Sequence, residues 1–169
     1  MAVTLIGGGS RSGKTSFALR RAREYGAKLA YAATAEVLDE EMAARTAAHQ
    51  SERGAEFVTI EEPLELARVL ETGAAGFDAV VVDCLTLWLS NIMLAGGRDL
   101  PREVDRLVKA VSDCPGPLVI VTNEVGAGIV PENALAREFR DQAGWLNQRI
   151  AETAAEVYWM VFGCPVKVK

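Results

Sequence analysis

The sequence predicts an α/β fold, a mainly parallel β-sheet flanked by helices. Three observations carry that expectation. Apolar runs of strand length alternate with helix-patterned segments along the 169 residues. "FDAVVVDCLTLW" is a continuous, β-branched-rich apolar run, the pattern of a central parallel strand covered on both faces. A strand-like run at Val3–Ile6 feeds into three glycines, and a helical pattern follows at once.

The elements follow in order. After Val3–Ile6, "SFALRRAREYG" has apolar residues at Phe17, Ala18 and Ala22 and predicts a helix to about Tyr25, closed by Gly26. "KLAYAAT" is a second strand. "LDEEMAARTAAHQSERG" predicts a helix with Asp39 as N-cap, acids in its first turn and Gly54 beyond its end. "EFVTIEEP" gives a short strand and "LELARVLE" a short helix. "LTLWLSNIML" and "PREVDRLVKAVSD" are helical, separated by Gly96-Gly97, and "PLVIVTNEV" is another buried strand. A long helix is expected from Ala134 to about Ala155, interrupted or bent near Gly144. "VYWMVFGCPVKVK" closes the chain as a short β-hairpin around Gly163-Cys164-Pro165. Alternating strands and helices call for right-handed crossovers, and residues 1–169 read as one domain with no repeat or linker.

Composition narrows the function classes. Half of the residues are apolar and 24% charged, so the chain is neither disordered nor membrane-like. No apolar run approaches the ~20 residues of a spanning helix. The N-terminus has no basic leader or cleavage site, and a cytoplasmic protein is expected. The net charge of −5, without a basic cluster, argues against nucleic acid as a partner. Cys84, Cys114 and Cys164 have no metal-ligand spacing and read as reduced thiols in or near the core.

Gly8-Gly9-Ser10-Arg11-Ser12-Gly13-Lys14-Thr15 fits the phosphate-binding pattern G-x-x-x-x-G-K-[ST], between a strand and a helix as that motif requires. The glycines let backbone N–H groups turn toward phosphate oxygens, and the helix N-terminus favours negative charge. Lys14 is placed to reach the outer phosphates and Thr15 to offer its hydroxyl to Mg²⁺. Asp83 ends the strand "AVVVD", where a carboxylate serves a metal or the nucleotide; the alternative is a cap for the next helix.

His49 is the only histidine. Arg45, His49 and Arg53 are spaced i, i+4, i+8 and share one helix face. Two guanidiniums beside an imidazole make a candidate phosphate site with a nucleophilic nitrogen. The alternative is a solvated face whose arginines pair with Glu41 or Glu52. Asn123 and Glu124 fall at the end of the last buried strand, suited to polar ligand groups, and "GAGIVPEN" makes a glycine-rich loop able to close over a substrate. Arg137 and Arg140 lie i, i+3 on the following helix; they serve a ligand or form a solvated surface paired with Glu138 and Asp141.

Together these segments resemble the bifunctional adenosylcobinamide kinase/adenosylcobinamide-phosphate guanylyltransferase family of cobalamin biosynthesis. The resemblance rests on "GGGSRSGKT", "YAATAEVLDEEMAARTAAHQSERG", "DCLTLWLSN", "TNEVGAGIVPENALAREFRDQAGWLNQRIAE" and "VYWMVFGCPVKVK", and runs nearly end to end. It implies a RecA-like P-loop NTPase domain and two reactions. The first phosphorylates the aminopropanol hydroxyl of adenosylcobinamide with ATP or GTP. The second moves GMP from GTP to adenosylcobinamide phosphate through a covalent histidine–GMP adduct, at the position of His49. By position, Gly8 to Thr15 would hold phosphates. Ala33, Thr34, Ala35, Gln50, Ser51, Glu52, Arg53, Glu61 or Glu62, and Asp83 would line the guanine nucleotide site. Arg45 and Arg53 would neutralise the transferring group. A homotrimer is implied as well. Two positions depart from the family's pattern: some members have glutamate in place of Asp83, and many have proline where Gly54 follows Arg53. The alternatives outside the resemblance are a monofunctional P-loop kinase and a non-enzymatic RecA-type nucleotide-binding module.

Overall fold

The structure, a computed structural model, describes residues 2–35 and 53–169. The helix expected around Asp39 therefore lies outside the described residues.

Seven strands form one sheet: β1 (Val3–Gly8), β2 (Leu29–Ala33), β3 (Phe57–Glu61), β4 (Ala79–Asp83), β5 (Leu118–Val121), β6 (Glu156–Val161) and β7 (Cys164–Lys167). Their order is β3-β2-β4-β5-β1-β6-β7. All neighbours are parallel except β6 and β7, the antiparallel C-terminal pair. Ala33 lies opposite Asp83 and Asp83 opposite Val121, while Ile6 also faces Val121 and Gly8 faces Met160. This register brings the C-terminal ends of the parallel strands to one edge, where open α/β sheets hold their ligands.

Side chains alternate between the two faces of the sheet. Leu5, Ala32, Val80, Val82 and Ile120 point into one core. That core is closed by α2 (Leu66–Thr72), α3 (Leu85–Leu94), α4 (Leu100–Asp113) and α5 (Ala134–Thr153). Ile6, Tyr31, Val81 and Val121 point the other way, against Phe17, Ala18, Leu19 and Ala22 of α1 (Lys14–Arg23). A short 3₁₀ turn, Ala74–Gly76, precedes β4.

The apolar run "FDAVVVDCLTLW" divides at Asp83. Val80–Val82 continue the strand, whereas Leu85, Trp88, Leu89 and Ile92 are buried at i, i+3, i+4, i+7 and follow a helical period. Caps fix the later helices: Asp99 accepts from the backbone N–H of Arg102 and Asn133 from that of Ala136, each contributing about 1 kcal/mol.

Four expectations are corrected. Helix α5 runs without a break through Gly144, because Ala143, Leu146 and Ile150 keep one buried stripe across it. Helix α1 ends at Arg23, two residues short of Tyr25. The hairpin turn is Phe162-Gly163, which puts Cys164 and Pro165 inside β7. Cys84 and Cys114 are buried as expected, but Cys164 is exposed.

Thiol labelling tests this last placement. Burial, reinforced by the Asp83 charge, pushes the Cys84 thiol up to about 12, and burial also raises Cys114. Native protein at pH 8 should therefore take up one equivalent of an alkylating reagent, at Cys164, with the other two reacting only on unfolding.

Candidate active site

The loop after β1 owes its shape to its glycines. Gly13 is the N-cap of α1 at φ 89°, and Arg11 also has positive φ, 54°. A Cβ on Gly8 would lie 2.8 Å from Ser12 Oγ and 2.9 Å from the Met160 carbonyl oxygen, so only glycine fits there. No side chain caps the N-terminus of α1. Its first N–H groups and the helix dipole thus face the loop, the arrangement that binds an anion. Lys14 is buried; its Nζ donates to the Gly9 carbonyl at 2.5 Å and to Ser12 Oγ at 3.4 Å. Burial lowers its pKa, opposed by the neighbouring Cys84 and Asp83. Gly9, Ser10 and Arg11 are exposed.

Asp83, at the end of β4, stands beside this loop. Its Oδ2 accepts from Thr15 Oγ1 at 2.7 Å and from Tyr31 OH at 2.7 Å. Burial, together with the Asp83 charge, pushes the Tyr31 phenol far above its usual range, so it remains a donor. The Arg53 guanidinium lies 3.7 Å over the Tyr31 ring and donates to Thr59 Oγ1 at 3.1 Å. The Thr15 hydroxyl and Asp83 carboxylate are hard oxygen donors, the kind Mg²⁺ takes. Among the described residues no three His, Cys, Asp or Glu gather as a metal site. The pair therefore fits an ion that draws its other ligands from phosphates and water.

Other expected residues take different places. Thr34 is wholly buried and its hydroxyl is committed to Cys84, accepting from the N–H and donating to the carbonyl, both at 2.8 Å. It ties β2 to the chain after β4 and does not face solvent. Arg53 is also buried, with its guanidinium packed on Tyr31. Glu62 accepts from the Leu64 and Glu65 backbone N–H groups and from Arg68. Burial works against its charge, but these donors outweigh it and hold its pKa low. It anchors the start of α2. Glu61 is exposed at the end of β3, next to Ala33 in register, and Ala35 is half-buried. Arg45, His49, Gln50, Ser51 and Glu52 lie outside the described residues.

On the other side of β4, the Glu124 N–H donates to the Gly8 carbonyl at 3.1 Å, placing the loop after β5 directly against the phosphate loop. Asn123 donates its N–H to Thr86 Oγ1 at 2.7 Å. Arg140 donates to the Gly126 carbonyl at 2.5 Å, and Arg137 to the carbonyls of Pro131 and Glu132 at 3.0 and 2.6 Å. The two arginines thus brace the 122–133 loop; the expected pairing with Glu138 and Asp141 is not how they are used. Ile129 and Val130 stay exposed on that loop.

Sequence reasoning passed over Tyr31, Thr86, Thr122 and Asn147. Thr122 donates to Asn147 Oδ1 at 2.7 Å and lies 3.3 Å from Thr86 Oγ1, joining α3, β5 and α5 beneath Asn123. The signal for Asn147 was its place four residues after buried Ala143, on the inward stripe of α5.

The sheet order and the glycine loop define a RecA-like P-loop fold. The fold is shared with the RadB recombinase (TM-score 0.56, 19% identity, 94% of this chain and 73% of that one). It is also shared with a second solved ATPase domain (TM-score 0.53, 9% identity, 94% and 68%). The model of the cobinamide kinase/cobinamide phosphate guanyltransferase family matches residues 4–168. The bifunctional adenosylcobalamin biosynthesis protein CobP of Pseudomonas aeruginosa is 43% identical over 166 residues, covering 98% of this chain and 96% of the relative. CobU of Salmonella typhimurium, described in the same words, is 40% identical over 179 residues and 98% of each chain. The chain belongs to the cobinamide kinase/cobinamide phosphate guanyltransferase family, and is an enzyme of that class.

Replacing Tyr31 by Phe removes one of two donors to Asp83 and leaves the packing intact. It should cost about 1.5–3 kcal/mol of unfolding free energy, the range for a hydrogen bond to a charged group. Urea denaturation with an unchanged midpoint would show the bond to be idle.

Proposed function

We propose that one phosphate loop serves both reactions, as a single domain. It phosphorylates the aminopropanol hydroxyl of adenosylcobinamide with ATP or GTP, then transfers GMP from GTP to the product, giving adenosylcobinamide-GDP and pyrophosphate. The observation that carries this is the Thr15–Asp83 pair, 2.7 Å apart beside an uncapped helix N-terminus, in a chain of this family.

In the kinase step the substrate hydroxyl oxygen attacks the γ-phosphorus. The bond to the bridging oxygen breaks, the nucleoside diphosphate leaves and the hydroxyl proton goes to solvent. Lys14 and the loop N–H groups bear the charge on the phosphate oxygens, so catalysis is mainly placement and electrostatics. Thr15 and Asp83 would hold Mg²⁺, which when bound would supply positive charge to the phosphates. In the second step a nitrogen of His49 attacks the α-phosphorus of GTP and pyrophosphate departs. A phosphate oxygen of adenosylcobinamide phosphate then displaces the imidazole. Gly8 to Thr15 hold the phosphates, and Arg45 and Arg53 neutralise charge on the transferring group. Ala33, Ala35, Gln50, Ser51, Glu52 and Glu61 line the guanosine side. Asn123 and Glu124 face the acceptor, under a loop braced by Arg137 and Arg140.

We place the enzyme in the cytoplasm and read it as a homotrimer, by the family resemblance. None of its three cysteines is paired, and no helix among the described residues is long and apolar enough to cross a membrane.

Two outcomes test the division of labour. Incubation with GTP and Mg²⁺, quenched at alkaline pH because a phosphoramidate is acid-labile, should add the mass of one GMP. His49→Ala should abolish the adduct and guanylyl transfer while leaving phosphorylation substantially intact. Equal loss of both activities in folded His49→Ala refutes the assignment. Thr15→Ala should raise the Mg²⁺ concentration needed for half-maximal phosphorylation, whereas Thr15→Ser, which keeps the hydroxyl, should not.

A further inference from the structure

The turn between β6 and β7 carries a residue that its geometry disfavours. Val161 and Cys164 pair across it, leaving Phe162 and Gly163 as a two-residue loop. Both have positive φ, 52° and 79°. Such hairpins favour Asn-Gly or Asp-Gly, because a short polar side chain tolerates the left-handed region best. Phenylalanine brings no local hydrogen bond there, and no burial either, for Phe162 is 98% exposed. An aromatic ring held in water on a strained backbone adds nothing to the packing of the chain. Strain of this kind gathers at ligand sites.

Its place in the fold gives the ring a use. Strand β6 runs parallel to β1 with Met160 opposite Gly8, so the turn follows just beyond the start of the phosphate loop. A Cβ on Gly13 would lie 3.5 Å from the Gly163 Cα and 3.8 Å from Met160 Cε. The hairpin tip therefore borders the N-cap of α1. In the sheet it lies across β1 from β5 and β4. A triphosphate gripped by the loop must let its nucleoside emerge at the rim. Toward β4 that rim carries Thr15, Asp83 and the loop after β5; on the other side stands Phe162.

We propose that Phe162 is the stacking platform for the purine ring of the nucleoside triphosphate that donates its γ-phosphate. Stacking accepts any base through its π-face, which suits a donor that is ATP or GTP. The inference rests on the kinase half of the function proposed above. The guanylyl half places guanine toward β2 and β3. One phosphate loop then holds triphosphates in two poses, base toward the hairpin for attack at the γ-phosphorus and base toward β2 for attack at the α-phosphorus.

Phe162→Asn in the full chain tests this, since asparagine suits the turn and the variant should melt at or above the parent's temperature. Its ATP affinity, measured by titration calorimetry, should fall about five- to thirty-fold, ~1–2 kcal/mol at 1.4 kcal/mol per decade. Inorganic tripolyphosphate, which has no base, should bind parent and variant alike. Guanylyl transfer from GTP to adenosylcobinamide phosphate should keep its KM for GTP. Phe162→Trp should retain ATP affinity and gain a fluorescence signal quenched by ATP but not by tripolyphosphate. Unchanged ATP affinity in Phe162→Asn, or equal weakening of ATP and tripolyphosphate, overturns the platform. A changed oligomeric state at unchanged ATP affinity overturns it too, in favour of a contact between copies. The binding measurements need no cobinamide, so a parent that binds ATP through Phe162 but phosphorylates no cobinamide would fail the functional reading alone.

Discussion

The Asp83 Oδ2 atom is the point on which the nucleotide edge of the protein depends. Thr15 comes to it from the first turn of α1 and Tyr31 from the middle of β2, while Asp83 itself ends β4. Three elements distant in sequence are thereby held to one carboxylate oxygen. A charged acceptor with two short donors is stronger than a neutral contact, and low local dielectric strengthens it further. Tyr31 can bring its hydroxyl there only because β2 lies next to β4 with Tyr31 opposite Val81, two residues before the Ala33–Asp83 pairing. Arg53 packs its guanidinium over the same ring. The chain entering β3 is thus attached, through Arg53 and Tyr31, to the carboxylate that bonds Thr15.

A second polar layer supports the neighbouring end of the sheet. Thr86, Thr122, Asn147 and the Asn123 backbone exchange hydrogen bonds below the strand end, so the start of the 122–133 loop is fixed. Further along, the arginines of α5 hold the loop by its carbonyls. Backbone oxygens held from a rigid helix keep the loop's path while leaving Ile129 and Val130 in solvent. Polar groups buried this close to a ligand edge must be satisfied within the protein, because each orphan costs about 1–3 kcal/mol.

Local pattern made most of the fold legible, and long-range contact accounts for what was missed. Most described strands and helices lie where an apolar period placed them, since burial on one or two faces writes itself into the sequence; β7, exposed at all four positions, does not. Gly8, Gly13, Lys14 and Thr15 were readable because the loop's chemistry is contiguous. Tyr31 was not, for within "KLAYAAT" it is one more apolar strand residue, and only the β2–β4 pairing reveals where its hydroxyl goes. Arg53 shows the limit from the other direction. Helical spacing put it on one face with Arg45 and His49, but spacing says nothing of the Tyr31 ring that buries it. Thr34 and Glu62 lie at the edge the sequence indicated, and their hydrogen bonds to Cys84, Leu64, Glu65 and Arg68 could not be read from it.

If one loop serves both group transfers, as proposed, selectivity is a question that the loop itself does not answer. Backbone N–H groups, Lys14 and the Thr15 hydroxyl address phosphate oxygens, which are the same in ATP and GTP and similar at the β and γ positions. Whichever phosphorus is attacked, the loop supplies the same charge. The choice between attack at the γ- and the α-phosphorus must therefore lie in what surrounds it: where the base rests and which nucleophile stands in line. The fold offers two sides for this purpose, separated by β1. One is the β2–β3 side, where Arg53 packs on Tyr31; the other is the β6–β7 turn with its exposed ring. On the proposed reading, a base-independent grip at the centre with base-dependent rims on either side would let one phosphate loop in a chain of 169 residues serve both chemistries.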